Sequence, residues 1–142
     1  MMNSITRKLL AATTGLICAT AASADFDGSE PLMCSLGQII ECDYGAECRA
    51  VTNESIDAPD FVRLDFRQKQ VNAITAGEAA ESDAIDSVEN LDNHLIVQGV
   101  QGSTPTDPLG WSLSINQTTG RMTLTASGDD AGFAAFGACT TL

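Results

Sequence analysis

Apolar and polar residues alternate along much of this chain, and the alternation is clearest over residues 111–126. A period of two is typical of a strand with one buried face and one solvated face. Two such runs flank the loop 117–120, and their apolar positions oppose each other in one register: Trp111 with Ala126, Leu113 with Leu124 and Ile115 with Met122. The pattern predicts a hairpin with Gly120 at positive φ.

Further segments show the same β pattern. Alternation over residues 61–67 predicts a strand whose buried face holds Val62, Leu64 and Phe66. The polar residues 67–70 predict a turn, after which Phe66 lies opposite Val71. Residues 94–100 and 132–140 are also predicted as strands, and the second of these carries Cys139 back toward the first strand of the domain.

That first predicted strand covers residues 32–42 and is followed by the polar turn 43–47. Its even-numbered positions share one face, with Gln38 as the exception: Leu32, Cys34, Leu36, Ile40 and Cys42. The alternation therefore predicts that both cysteines point inward. Cys48 begins the returning strand.

Residues 77–92 interrupt the β pattern. This stretch contains six acidic residues and no basic one: Glu78, Glu81, Asp83, Asp86, Glu89 and Asp92. Ile85, Val88 and Leu91 recur every three residues, which suits one side of a short helix, but the acidity opposes a helix C-terminus. We expect an acidic loop with one helical turn at most.

The predicted fold is all-β, a small antiparallel up-and-down barrel or compact sandwich of about eight strands. The first and last strands are expected to pair. Residues 25–142 suit one domain, since 118 residues lie within the usual domain size.

Residues 1–24 have the pattern of a signal peptide. Arg7 and Lys8 precede an apolar stretch, and Ala22-Ser23-Ala24 is a small-x-small cleavage sequence. The apolar stretch is too short to span a bilayer as a helix. The sequence predicts a periplasmic or secreted protein with no membrane span after processing. The alternative is a lipoprotein that begins at Cys18, although the large Ile17 precedes this cysteine where a small residue is preferred.

The four remaining cysteines are an even set: Cys34, Cys42, Cys48 and Cys139. In an exported chain such a set predicts two disulfides, whereas a zinc site would need CxxC pairs and histidines at set spacing. Of the three connectivities, we predict Cys42–Cys48 across the short turn and Cys34–Cys139 between the first and last strands.

Charge limits the partners. Without Arg7 and Lys8, five basic residues face nineteen acidic ones, a net charge of −14. Nucleic acid would be repelled, whereas a basic protein would be attracted. Tyr44, at the tip of the predicted disulfide-closed turn, and Asp129 and Asp130, in a glycine-flanked turn, are predicted partner contacts. The acidic loop 77–92 is a further candidate contact.

No catalytic, cofactor-binding or metal-binding residues are predicted. His94 is the only histidine, it begins a predicted strand, and no nucleophile motif such as GxSxG accompanies it. Residues 25–30 have a faint likeness to a calcium loop, but the third oxygen ligand is missing and Leu36 stands where the loop needs glutamate.

Several segments resemble a family of uncharacterised small exported bacterial proteins over most of the mature chain: Met33-Cys34-Ser35, Ile40-Glu41-Cys42, residues 60–65, and residues 120–123 through Phe136-Gly137-Ala138-Cys139. That resemblance implies no activity. In architecture the chain is also similar, more distantly, to inhibitors of c-type lysozyme, which are small barrels with a disulfide to a C-terminal cysteine. Their inhibitory loop resembles Ser-Gly-x-x-Tyr, but Ser127-Gly128-Asp129-Asp130 is followed by Ala131 and contains no tyrosine.

The sequence therefore predicts an exported, non-catalytic binding or inhibitory module for a basic protein. The alternatives are a small carrier of an apolar ligand in the barrel mouth, a structural envelope protein, and an enzyme whose activity would depend on His94. Against the carrier, bulky side chains predict an interior packed with side chains. The sequence leaves the oligomeric state open.

Overall fold

The computed structural model describes residues 25–102 and 108–142, and the predicted signal peptide at 1–24, with Cys18, lies outside them. The described residues form one antiparallel sheet of ten strands. The only helical element among them is a single 3₁₀ turn, Glu54–Ile56. The strands are β1 (Leu32–Asp43), β2 (Arg49–Val51), β3 (Phe61–Asp65), β4 (Gln70–Thr75), β5 (Glu78–Ala84), β6 (Ser87–Leu91), β7 (His94–Gln101), β8 (Leu109–Asn116), β9 (Arg121–Ser127) and β10 (Ala131–Thr141).

The sheet is a curled meander, which confirms the all-β prediction. Its strand order is β5-β4-β3-β1-β10-β9-β8-β7-β6, and the short β2 pairs with β1. The first and last long strands therefore lie side by side in the middle of the sheet. The two outer strands, β5 and β6, follow each other in the chain, and the end of β5 contacts β7, where the Gly102 amide donates to Asp83 Oδ1 at 3.4 Å. The curl thus closes part of the way.

A β-bulge at Gly37 changes the phase of β1. The register with β10 steps from Leu36 opposite Gly137 to Gln38 opposite Phe136, so Gly37 is the extra residue. Leu36 and Ile39 are consequently both buried. The predicted inward face is correct up to Leu36 and wrong beyond it, because the bulge turns Ile40 and Cys42 away from the interior and turns Ile39 and Glu41 toward it.

The two predicted hairpins differ in accuracy. The β8/β9 hairpin has the predicted register, with Leu113 opposite Leu124, and Gly120 has a φ of 68°. In the β3/β4 hairpin the prediction is wrong by two residues, because Leu64, and not Phe66, lies opposite Val71. Asp65 causes this earlier turn, since its Oδ1 accepts a hydrogen bond from the Gln68 amide at 3.0 Å.

The acidic segment 77–92 is not a loop, so this prediction is wrong. It forms β5 and β6, the two strands beyond the predicted eight. Ile85 lies between them and is buried, whereas Leu91 is 65% exposed. The strands hold because β5 pairs with β4 and β6 pairs with β7, and at the outer edges of the sheet the acidic side chains stay in water.

The core lies on the concave face of the curl. Its fully buried side chains include Leu32, Leu64, Leu95, Leu113 and Ile115. Trp111 is 9% exposed, which confirms the prediction that it belongs to the core. Its ring lies across Gly99, where an added Cβ would come within 2.4 Å of Trp111 Cζ2 and 2.5 Å of the Ala84 carbonyl oxygen.

One end of the curl is covered by the segment before β1. Phe26 is buried and joins the core, close to Gly120 and the carbonyl of Cys139. Asp27 accepts a hydrogen bond from the Ser29 amide at 2.8 Å, and hydrogen bonding to Ser29 lowers the pKa of the Asp27 carboxyl. The seven residues 25–31 therefore close this end with one aromatic ring and a local turn.

Candidate functional site

The disulfide Cys42–Cys48 holds the turn that follows β1, as predicted. Inside it the Ala46 amide donates to the Asp43 carbonyl at 3.1 Å, and Gly45 adopts a φ of 75°, which a residue without a Cβ tolerates best. The bond joins residues six apart, so the turn has little freedom. The second disulfide, Cys34–Cys139, also has the predicted pairing and links β1 to β10 in the core.

The structure brings the three predicted contact residues together. Strand β1 extends beside β10 as far as Asp43, which pairs with Ala131, so the turn after β1 meets the turn between β9 and β10. The Tyr44 amide donates to the Asp130 carbonyl at 2.7 Å. We call residues 43–48 and 128–130 together the stapled tip. Its role in binding stays a prediction, but the residues form one surface.

Tyr44 is 90% exposed, more than any other large apolar side chain in the described residues. Tyrosine is common at binding hot spots because it brings a large contact area with only two rotatable side-chain angles. Here the backbone that carries it is fixed by a disulfide and a hydrogen bond to Asp130. The ring is thus presented to solvent from a rigid support.

The charges of the stapled tip are uneven. The Arg49 guanidinium lies 3.0 Å from Asp43 Oδ2 and also pairs with Glu41, whose side chain is only 10% exposed. Asp129 and Asp130 are exposed, and no salt bridge to them is found among the described residues. The outer part of the tip therefore carries uncompensated negative charge beside an exposed aromatic ring.

An apolar cavity of about 220 Å³, partly open to solvent, lies on the concave side of the curl, and Phe26 is not among the residues that line it. The interior is therefore not packed with side chains throughout, contrary to the prediction. The inward-facing Val71, Leu124 and Ala126 are only half-buried. The apolar walls come mainly from β1, β3, β4, β8, β9 and β10, and the segment 56–59, Asp83 on β5 and Gln101 on β7 complete the lining.

The described residues place no catalytic or metal-binding group beside the candidate residue His94. The His94 ring is exposed, and its Nδ1 lies 3.2 Å from the Asp92 carbonyl oxygen. Over residues 25–102 and 108–142, no three His, Cys, Asp or Glu side chains are grouped so that they could hold a metal ion. Nor does this part of the chain contain a helix of the length and apolarity that a membrane span requires.

The fold and the stapled tip define a small all-β protein with two disulfides, a type found mainly outside the reducing cytoplasm. Comparisons with protein-family models, curated proteins and solved structures give no match. The resemblance to small exported bacterial proteins and to lysozyme inhibitors therefore stays a prediction.

Proposed function

We propose that this protein is exported to the periplasm or the medium and binds a basic protein partner through the stapled tip, without catalysis. The observation that carries the proposal is the meeting of Tyr44 and Asp130 at one exposed surface, with an amide to carbonyl distance of 2.7 Å. These residues were predicted from two turns more than eighty positions apart in the chain. The two disulfides support the export of the chain.

Preorganisation supports this use of the tip. A flexible loop loses conformational entropy when a partner orders it, and a loop closed by a disulfide loses less. The Cys42–Cys48 bond and the hydrogen bond to Asp130 hold the backbone of the tip before any partner arrives. Tyr44 then supplies apolar contact, and Asp129 and Asp130 supply the charge that steers a basic surface toward it.

The first experiment is affinity capture by the oxidised protein from the envelope and medium of the exporting cell, at low and high salt. A captured partner is identified and its affinity for purified variants is measured. A c-type lysozyme is the first purified basic protein to test, and its activity reports inhibition directly. Binding by attraction between charges is expected to weaken steeply as salt rises. At about 0.1 M salt, attraction between exposed charges is already largely screened beyond about 10 Å.

Matched variants separate the stapled tip from the rest of the acidic surface. Tyr44→Ala is expected to weaken binding at least about tenfold, as loss of a hot-spot tyrosine usually does. Phe136→Ala removes another exposed aromatic ring, far along β10 from the tip, and is expected to leave the affinity unchanged.

The charge control compares two double variants with equal loss of charge. Asp129→Asn with Asp130→Asn is expected to weaken binding and reduce its salt dependence. Glu78→Gln with Glu81→Gln, on β5, is expected to do neither to the same extent. Equal effects of the two pairs, or a partner that binds independently of salt and of Tyr44, would contradict the proposal.

A further inference from the structure

The interior cavity is a second site, separate from the stapled tip, and it goes beyond the proposed function. Its volume is about 220 Å³ and its walls are mostly apolar, with Leu64, Leu113, Leu124 and Phe133 among them. In the described part of the chain no buried side-chain nitrogen or oxygen lacks a hydrogen-bond partner. Away from its carboxylates, the cavity therefore offers a ligand mainly apolar contact.

The volume sets the size of the ligand. A dry apolar cavity of about 150 Å³ binds benzene, which has six heavy atoms. By the same ratio, a cavity of about 220 Å³ takes a ligand of about nine heavy atoms. Long acyl chains and large polycyclic molecules exceed this space, whereas a single ring with a short substituent fits it.

The charge at the cavity sets the ligand's polar end. The only ionisable residues among those that line it are Asp57 and Asp83, and the exposed Asp57 and Gln101 show where the cavity reaches solvent. Asp83 Oδ1 already accepts a hydrogen bond from the Gly102 amide at 3.4 Å, which holds this carboxylate at the end of β5. Two carboxylates at the cavity attract a cation and repel an anion.

We propose that the cavity binds a small apolar molecule of about nine heavy atoms, buried against Trp111, Leu113 and Leu124, with a cationic end directed toward Asp57 and Asp83. An uncharged molecule of the same shape binds more weakly, and an anionic one binds least. Trp111 lines the cavity and is the only tryptophan of the chain, so its fluorescence reports occupancy of the site.

The test is titration of the oxidised protein with 2-phenylethylamine, n-propylbenzene and phenylacetate, with excitation of Trp111. These probes share a phenyl ring and similar size, and they differ in charge. The expected result is saturable binding with the amine at least about tenfold tighter than the carboxylate. Absence of saturable binding for all three probes would overturn the proposal, and equal affinities for the amine and the carboxylate would overturn its charge assignment.

Variants locate the binding. Ala126→Leu adds three carbons to the cavity wall and is expected to weaken all binding about tenfold or more. Ala138→Leu makes the same change on the exposed outer face of β10 and is expected to have no effect. Ala73→Leu fills the cavity from β4, so it keeps the test valid where the first variant does not fold. Unchanged affinity in a folded filling variant would overturn the assignment.

The charge assignment has its own pair of variants. Asp57→Asn with Asp83→Asn is expected to remove the preference for the amine while n-propylbenzene still binds. Asp129→Asn with Asp130→Asn, at the stapled tip, is expected to leave the preference intact. The second pair also separates this proposal from the proposed function, since it changes partner binding and not ligand binding.

Discussion

The two disulfides are expected to stabilise the fold very unequally. Cys34 and Cys139 are 105 positions apart in the chain, whereas Cys42 and Cys48 are six apart. A cross-link lowers the entropy of the unfolded chain by an amount that grows with the logarithm of the number of residues in the loop it closes. The resulting stabilisation of the folded state is about 4.8 kcal/mol for the long loop and about 2.4 kcal/mol for the short one.

The perturbation is a pair of matched double variants, Cys34→Ala with Cys139→Ala and Cys42→Ala with Cys48→Ala. Truncation of the long bridge also removes sulfur from the core, because Cys34 is fully buried and Cys139 nearly so. This adds a cavity cost to the entropic one. A domain of this size has a total stability of only about 6 to 18 kcal/mol, so loss of the long bridge removes a large share of it.

The assay is urea unfolding of each oxidised variant, followed by the fluorescence of Trp111. With a slope of about 2 kcal/mol/M, the entropic effects alone lower the midpoints by about 2.4 M for the long bridge and about 1.2 M for the short one, and the cavity cost lowers the first midpoint further. Removal of a cross-link expands the unfolded chain and changes the slope, so free energies must be compared along with midpoints. Reduced wild-type protein is expected to lose about the sum of the two effects.

The opposite ranking would refute this reasoning. If loss of Cys42–Cys48 costs as much free energy as loss of Cys34–Cys139, then loop length does not determine the effect, and the turn at the stapled tip contributes through native contacts. If neither double variant is less stable than the wild type, the bridges do not stabilise the sheet at all.

Two further predictions test single residues. Gly99→Ala is expected to destabilise the protein by about 1 to 3 kcal/mol because the added methyl meets the Trp111 ring and the Ala84 carbonyl. The control in thermal unfolding is Gly110→Ala, which has nothing within 4 Å of the new Cβ and is expected to stay within about 0.5 kcal/mol of the wild type. Arg49→Met is expected to cost about 1 to 3 kcal/mol because it leaves the buried Glu41 carboxylate unpaired. The matched Arg67→Met is expected to cost less than about 0.5 kcal/mol, since Arg67 is highly exposed and lies 3.9 Å from Glu30. Equal losses for the two variants in urea unfolding would count against the role of burial.

Much of the sheet could be predicted from alternation, because alternation determines which face of a strand is buried. It led to the correct β8/β9 register, where three apolar pairs and Gly120 agree. It failed in the β3/β4 hairpin because a shift of two residues leaves the same faces buried, so only the turn at Asp65 distinguishes the two registers.

The bulge and the outer strands were harder to predict. Two adjacent residues signalled the bulge: Gly37, because a glycine inside a strand often marks one, and Gln38, a polar exception on a predicted apolar face. Neither alone distinguishes a bulge from an ordinary strand residue. Strands β5 and β6 have few large apolar residues because they lie at the outer edges, and their pairing depends on neighbours that local sequence does not identify.

Of the two candidate sites, the stapled tip could be predicted from the sequence and the cavity could not. Cysteine spacing was enough to predict the turn that presents Tyr44, because a short closed loop is a local feature. The cavity had no signal in the sequence, since the same apolar residues can fill an interior or line a space within it. Only the curvature of the sheet decides between these outcomes.

The adjacency of β1 and β10 has a consequence for how the molecule is made. A polypeptide emerges from the ribosome, or from a translocation channel, beginning with its N-terminus, so β1 cannot pair with β10 until residues 131–141 have appeared. Until then the two halves, β1 to β5 and β6 to β9, are held together mainly by the connection at residues 85–86 and by the contact of β5 with β7. A premature stop before residue 131 would therefore remove the centre of the sheet and separate these halves, with no intact smaller domain left behind.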